Sequence, residues 1–219
     1  MHRSTLRPMT KIIKIKKFFI KSILLVFISF AAKAGSGPLG IDHRLARADT
    51  GVWSRNNQLF LEYSSAVIVL GESLWLGSDT RLGKTFWRTT DSMIETAIGS
   101  AGTKEIFRRE RPNKTNDPNS WFNSSSDRSF PSGEVAHITS IITPFISEYK
   151  NDNPYVWGLT ALPIYDGIAR MKSQGHWQTD VLAGAALGAS IGLYNSNKET
   201  PISVSILPHA LTVGVSTHF

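Results

Sequence analysis

The chain has no cysteine in 219 residues. That excludes thiol catalysis, Cys-ligated zinc and any disulfide staple, so the fold must be held by its own core. Its first 34 residues contain no acid, only eight cations: Arg3, Arg7, Lys11, Lys14, Lys16, Lys17, Lys21 and Lys33. The formal charge of +7, from 24 Lys and Arg against 17 Asp and Glu, resides in this segment. Beyond it 16 cations face 17 acids, so the body offers no basic surface for nucleic acid. Long uninterrupted apolar runs are missing too. The best candidate, residues 58–76, is broken by Glu62, Ser64, Ser65, Glu72 and Ser73, which speaks against a membrane span.

The basic N-terminus leads into an apolar stretch, Ile23 to Phe30, and ends at Ala32-Lys33-Ala34 before Gly35. This is the composition of a cleaved signal peptide. A spanning anchor would need about 20 apolar residues. Residues 1–34 are therefore expected to be removed on export, and residues 35–219 to form one unit. An oxidising envelope compartment such as a bacterial periplasm suits an exported chain without thiols.

Helical periodicity marks the unit from about residue 58 to 195. Leu59, Tyr63, Ala66, Val67, Leu70 and Leu74 make one apolar stripe, and further helices are expected at about 84–109, from Pro131, at 155–172 and at 176–194. The last is rich in small residues (Ala183, Gly184, Ala185, Ala186, Gly188, Ala189), as suits close packing against a neighbour. The stretch from Pro112 to Phe130 has loop composition. From Pro201 to Phe219 the pattern changes to alternation and predicts a two-strand hairpin. The expected fold is an all-α bundle with a short C-terminal β-hairpin.

Three short motifs carry chemistry. Lys104 and Arg111 are seven residues apart, and if helical both project from one face, a point charge beside a fork matched to phosphate oxygens. Pro131-Ser132-Gly133 opens a helix, where free N–H groups and the dipole suit an anion. Arg170, His176 and Asp180 place a cation, an imidazole and a carboxylate together, with His176 and Asp180 four apart on an expected helical face. The carboxylate can take a proton from one ring nitrogen and leave the other as a nucleophile. Each motif alone has a structural reading as a basic helix end, an N-cap or a first-turn acid. Their joint occurrence, in this order and spacing, points to phosphate held by three cations and attacked by histidine.

As a set, these residues resemble the type-2 phosphatidic acid phosphatase superfamily, which also holds bacterial acid phosphatases and vanadium haloperoxidases. The family pattern Lys-x6-Arg-Pro, Pro-Ser-Gly-His and Ser-Arg-x5-His-x3-Asp is matched by Lys104 to Pro112, by Pro131-Ser132-Gly133-Glu134, and by Ala169-Arg170 to His176 to Asp180. The resemblance covers roughly residues 90–190 and implies a helical bundle and a cofactor-free, metal-independent phosphatase. His176 would form a phosphohistidine and Asp180 would orient it. Lys104, Arg111 and Arg170, with Ser132 and the Gly133 N–H, would hold the phosphoryl oxygens.

Two positions depart from the pattern. Ala169 stands for the family's Ser, and Glu134 stands for the His that protonates the leaving group. Beside a phosphate dianion a carboxyl is pushed toward its protonated form, so Glu134 is the expected general acid, with activity favouring mildly acidic pH; His137, three residues on, is the alternative donor. The leading expectation is a phosphomonoesterase in the envelope. A lipid phosphatase or pyrophosphatase comes next, and a vanadate-dependent haloperoxidase last. A non-catalytic phosphate- or partner-binding relative is the reading outside enzymology. The expected partner is a phosphorylated small molecule or a lipid head group, with peripheral membrane contact open. Trp121 and Phe122, in the loop 113–130, either line a pocket mouth or pack beneath the loop.

Overall fold

The structure is a computed structural model and describes residues 36–198; the expected signal segment 1–34 and the expected hairpin at 201–219 lie outside the described residues. Within them the bundle is as expected. Five α-helices follow a lead-in: α1 (Arg55–Leu76), α2 (Arg81–Phe107), α3 (Gly133–Tyr149), α4 (Ala161–Lys172) and α5 (Gln178–Ser196). Side chains set two of the starts. Ser54 Oγ accepts from Asn57 N at 3.4 Å, and Thr80 Oγ1 accepts from Gly83 N at 3.0 Å. A 3₁₀ segment, Pro154–Thr160, precedes α4 where continuous helix was expected from 155. Asn153 caps it and Pro154 opens it.

The core is small. Val69 of α1, Met93 of α2 and Ile141, Ile142 and Ile146 of α3 form its centre. Ser73 and Thr90 share a buried hydrogen bond of 2.8 Å that ties α1 to α2. The closest seam runs between α3 and α5, where the small residues of α5 let backbones nearly touch. A Cβ on Gly184 would sit 2.4 Å from the Ser132 carbonyl oxygen, and one on Gly188 would sit 2.1 Å from that of Ala136. Farther along, a Cβ on Gly192 would lie 2.6 Å from that of Thr143. This seam holds the start of α3 against the start of α5, and the two later motifs begin there.

Two surfaces are left apolar. Phe60, Tyr63, Val67, Ile68 and Trp75 of α1 are exposed. By length and composition α1 could cross a membrane, and only 11 % of its most apolar window is buried. The polar interruptions seen in the sequence are therefore too few to set this helix apart from a spanning one. A cavity of about 540 Å³ is lined by α3, α4 and α5. Ile142, Ile164, Ile168, Met171 and Leu182 are among its walls.

Candidate active site

The three motifs converge at one end of the bundle, though by a different route than helical spacing predicts. α2 ends at Phe107, and Arg108 turns the chain in the left-handed region (φ 39°, ψ 43°). Lys104 is thus on the helix while Arg111 lies on the loop beyond it. The shared helical face is corrected to convergence from two sides. Lys104 Nζ donates to the carbonyls of Pro131 (2.7 Å) and Arg128 (3.2 Å), which aims it at the start of α3. Burial, then the neighbouring Arg111, lowers its pKa to about 8.

His176 and Asp180 do not share a helical face either. α5 begins at Gln178 with Trp177 as its N-cap, so His176 precedes the helix and Asp180 is its third residue. Asp180 Oδ2 accepts from Trp177 N at 2.8 Å and so fixes the backbone on which His176 stands. His176 Nδ1 is 3.7 Å from the same oxygen, too far for a hydrogen bond, and is buried without a hydrogen-bond partner. The expected ring-to-carboxylate bond is therefore absent, and Asp180 positions the histidine through the main chain.

The other ring nitrogen faces the cations. Arg111 Nη1 lies 3.3 Å from His176 Nε2 and donates to the Gly175 carbonyl at 2.9 Å. A guanidinium can only donate, so Nε2 presents its lone pair. Burial first, then Arg111, Arg170 and Lys104, holds the His176 pKa well below the usual imidazole value. The ring is thus held in its neutral form. Gly175 is needed here, because a Cβ would stand 2.6 Å from Arg170 Nη2 and 3.4 Å from Arg111 Nη1. Arg111 Nε also contacts Asp127 at 2.6 Å.

Ser132 was expected either to cap α3 or to meet a ligand. It occupies the N-cap position but makes no side-chain capping bond. Its Oγ is buried without a protein hydrogen-bond partner, and so is Arg170 Nε. A buried hydroxyl and a buried guanidinium N–H left unbonded are costly unless something else binds them. The Ser132 N–H is satisfied by the Asp180 carbonyl at 2.9 Å, which locks the two motifs together.

Glu134, at the family's imidazole position, is ion-paired. Its Oε2 lies 2.5 Å from Arg55 Nη1 and its Oε1 lies 3.7 Å from Arg170 Nη1. Gln58 Oε1 accepts from both arginines, at 3.3 Å from Arg55 and 3.1 Å from Arg170. His137 is partly buried, its Nε2 has no protein partner, and burial lowers its pKa.

Sequence reasoning passed over several residues of this site. Arg109 is fully buried. It donates to Asp180 Oδ1 (2.7 Å) and Asp42 Oδ2 (2.6 Å) and stacks over Trp121 with 4.4 Å to the ring centroid. Asp42 also accepts from the N–H of Thr179 at 2.8 Å. The signal available was an Arg-x-Arg-Pro pair in which the first arginine sits past the helix end. Asp42, Arg55 and Gln58 carried none, because their partners in the site are 67 to 137 residues away. Trp121 packs edge-on against Phe130 (5.2 Å) and Phe107 (6.0 Å), so it supports the loop. Phe122 is exposed.

A family model of the PAP2 superfamily matches residues 88–198, just over half of the chain. The chain belongs to the PAP2 superfamily. The match spans all three motifs and the helices that carry them. Among curated proteins the chain is similar to the lipid A 1-phosphatase of Porphyromonas gingivalis, at 35 % identity over 91 residues. That alignment takes in 41 % of this chain and only 18 % of the relative's length. Among solved structures it is similar to LpxE of Aquifex aeolicus, with a TM-score of 0.46 at 20 % identity, covering 64 % of this chain and 83 % of that one.

Proposed function

We propose that this PAP2 protein is a phosphatase of the cell envelope that hydrolyses a lipid phosphate through a phosphohistidine on His176. The observation that carries this reading is the set of cations on the His176 ring: Arg111 Nη1 lies 3.3 Å from Nε2, and Arg170 and Lys104 act on the same imidazole. Phosphorus would be attacked by Nε2. Lys104, Arg111 and Arg170 would take up the charge on the phosphoryl oxygens, and Ser132 would donate to one of them. Water would then release phosphate from the histidine.

The soluble monoester that led on sequence grounds yields to a lipid for three reasons. The curated relative acts on lipid A by name. The apolar face of α1 lies uncovered, as peripheral contact with a bilayer would require. The walls of the apolar cavity beside α4 include Val135, Gly167 and Val181, each next in sequence to Glu134, Asp166 or Asp180. A lipid tail could leave the site along it. An exported location follows from the N-terminal composition and belongs to the same proposal.

The test is phosphate release from the full chain in mixed micelles containing phosphatidic acid or a phosphorylated glucosamine lipid, with EDTA, beside a soluble aryl phosphate. Chain-dependent turnover and an acid-labile phosphoenzyme, both missing in His176→Ala, are expected. Aryl phosphate turnover with no response to lipid would return the reading to a soluble monoesterase. Tight phosphate binding without any turnover would instead favour the non-catalytic relative.

A further inference from the structure

Protonating the leaving group is the step the motifs leave least explained. Glu134 lies 2.5 Å from Arg55 Nη1 and 3.7 Å from Arg170 Nη1, and no second carboxyl belongs to the family pattern. One turn before Arg170 on the same helix stands a second carboxyl, Asp166. It is fully buried, and neither oxygen has a protein hydrogen-bond partner. A carboxylate in that setting costs far more than a neutral carboxylic acid.

Its surroundings are those of Glu134. α4 meets α3 at Gly167 and Val135, where a Cβ on Gly167 would lie 3.8 Å from Val135 Cγ2; these are the residues that follow Asp166 and Glu134. The charged groups around Asp166 are Glu134 from α3, Arg170 from α4, and Glu62 and Arg55 from α1. Burial, then Glu134, raises its pKa to about 7. The Glu62 carboxyl is raised as well, by burial and then by Glu134. Three carboxyls and two guanidiniums thus act on one another beside the cradle. That set carries more negative charge than its cations offset, so a proton is retained.

We propose that Asp166 is a positioning residue that stores the proton of the leaving-group step and supplies it through Glu134. This rests on the phosphatase reading above. As the bond from His176 Nε2 to phosphorus forms, the bond from phosphorus to the leaving oxygen breaks. A proton passes from Asp166 through Glu134 to that oxygen, leaving both carboxyls ionised. In the second half, the water that attacks phosphohistidine loses a proton to Glu134 and so back to Asp166. The pair replaces the single imidazole of the family pattern, and the proton count closes over one turnover.

The experiment compares an alkyl phosphate, whose leaving alkoxide needs a proton, with 4-nitrophenyl phosphate, whose leaving phenolate needs little help. For Asp166→Asn in the full chain, kcat/KM for the alkyl substrate should fall at least tenfold and that for the nitrophenyl substrate less than about twofold. Asp166→Glu, which keeps an acid, should recover much of the alkyl rate. A loss of activity centred near pH 7 should be seen with the alkyl ester alone. Should Asp166→Asn fail to fold, the two wild-type pH profiles still decide. Equal slowing of both esters with superimposable profiles would overturn the inference and leave the phosphatase standing. Absence of wild-type turnover and of phosphohistidine would overturn both.

Discussion

The two halves of the site are built differently. On the phosphate side, His176, Ser132 and the supporting Asp180 lie at the starts of α3 and α5, the helices whose backbones pack closest. On the leaving-group side, Glu134, Arg55, Gln58 and Asp166 meet through long side chains from α1, α3 and α4. Main-chain contacts define one half and side-chain contacts the other. The backbone-built half can tolerate little change and should act alike on every substrate. The side-chain half can be rebuilt, as Glu134 in place of an imidazole shows, and should sense what is being released.

His176→Ala would sharpen this contrast most. It should remove turnover of aryl and alkyl phosphates alike, by on the order of 10⁴ or more, together with the phosphoenzyme. Survival of covalent labelling would break the assignment of the nucleophile. Next comes Arg109→Met, which strands Asp42 and Asp180 without their partner in the interior. A loss of about 3–5 kcal/mol in denaturant unfolding is expected. An unchanged midpoint would mean that Asp180 is held by Trp177 N alone. Gly184→Ala forces a methyl against the Ser132 carbonyl and should cost about 1–3 kcal/mol, with equal rate losses for both leaving groups. A loss confined to alkyl esters would show that the halves are not separable.

The smallest effect is in pH. Lys104 in the free site loses its charge as pH rises through about 8, so kcat/KM should decline above that value for every substrate. The His176 pKa is held well below 6.5, so no acid-side loss near that value should come from the nucleophile. Lys104→Arg should delay the alkaline decline; a decline unmoved by that change would locate it elsewhere. The leaving-group half adds its own loss near pH 7 for alkyl esters only, so the two halves can be read as two separate limbs.

The same division decides what could be read from the sequence. The phosphate half was legible because a backbone-built site needs particular residues at particular offsets: Lys104, Arg111, Ser132, Gly133, Arg170, His176 and Asp180 all come to it. The geometry behind the offsets was misread. Arg108 breaks the helix in the left-handed region, and His176 precedes α5, so a count of residues along an ideal helix gave the right partners for the wrong reason. The leaving-group half was nearly silent. Arg55 and Gln58 look like any polar start to a helix, and Asp166 like any acid within one, until the bundle brings α1 and α4 beside α3. Glu134 was noticed as a departure, but its arginine partner is 79 residues distant and no spacing encodes that.

The tight seam between α3 and α5 also bears on how a bulky substrate enters. Gly184 and Gly188 of α5 are set against the main chain at the start of α3, a closer seam than those of α4, which borders the apolar cavity and is the helix better placed to move. Arg170 and Asp166 ride on that helix one turn apart. A swing that admits substrate would withdraw a phosphate cation and the stored proton together, and its return would deliver both. Entry and readiness to react would then be a single motion.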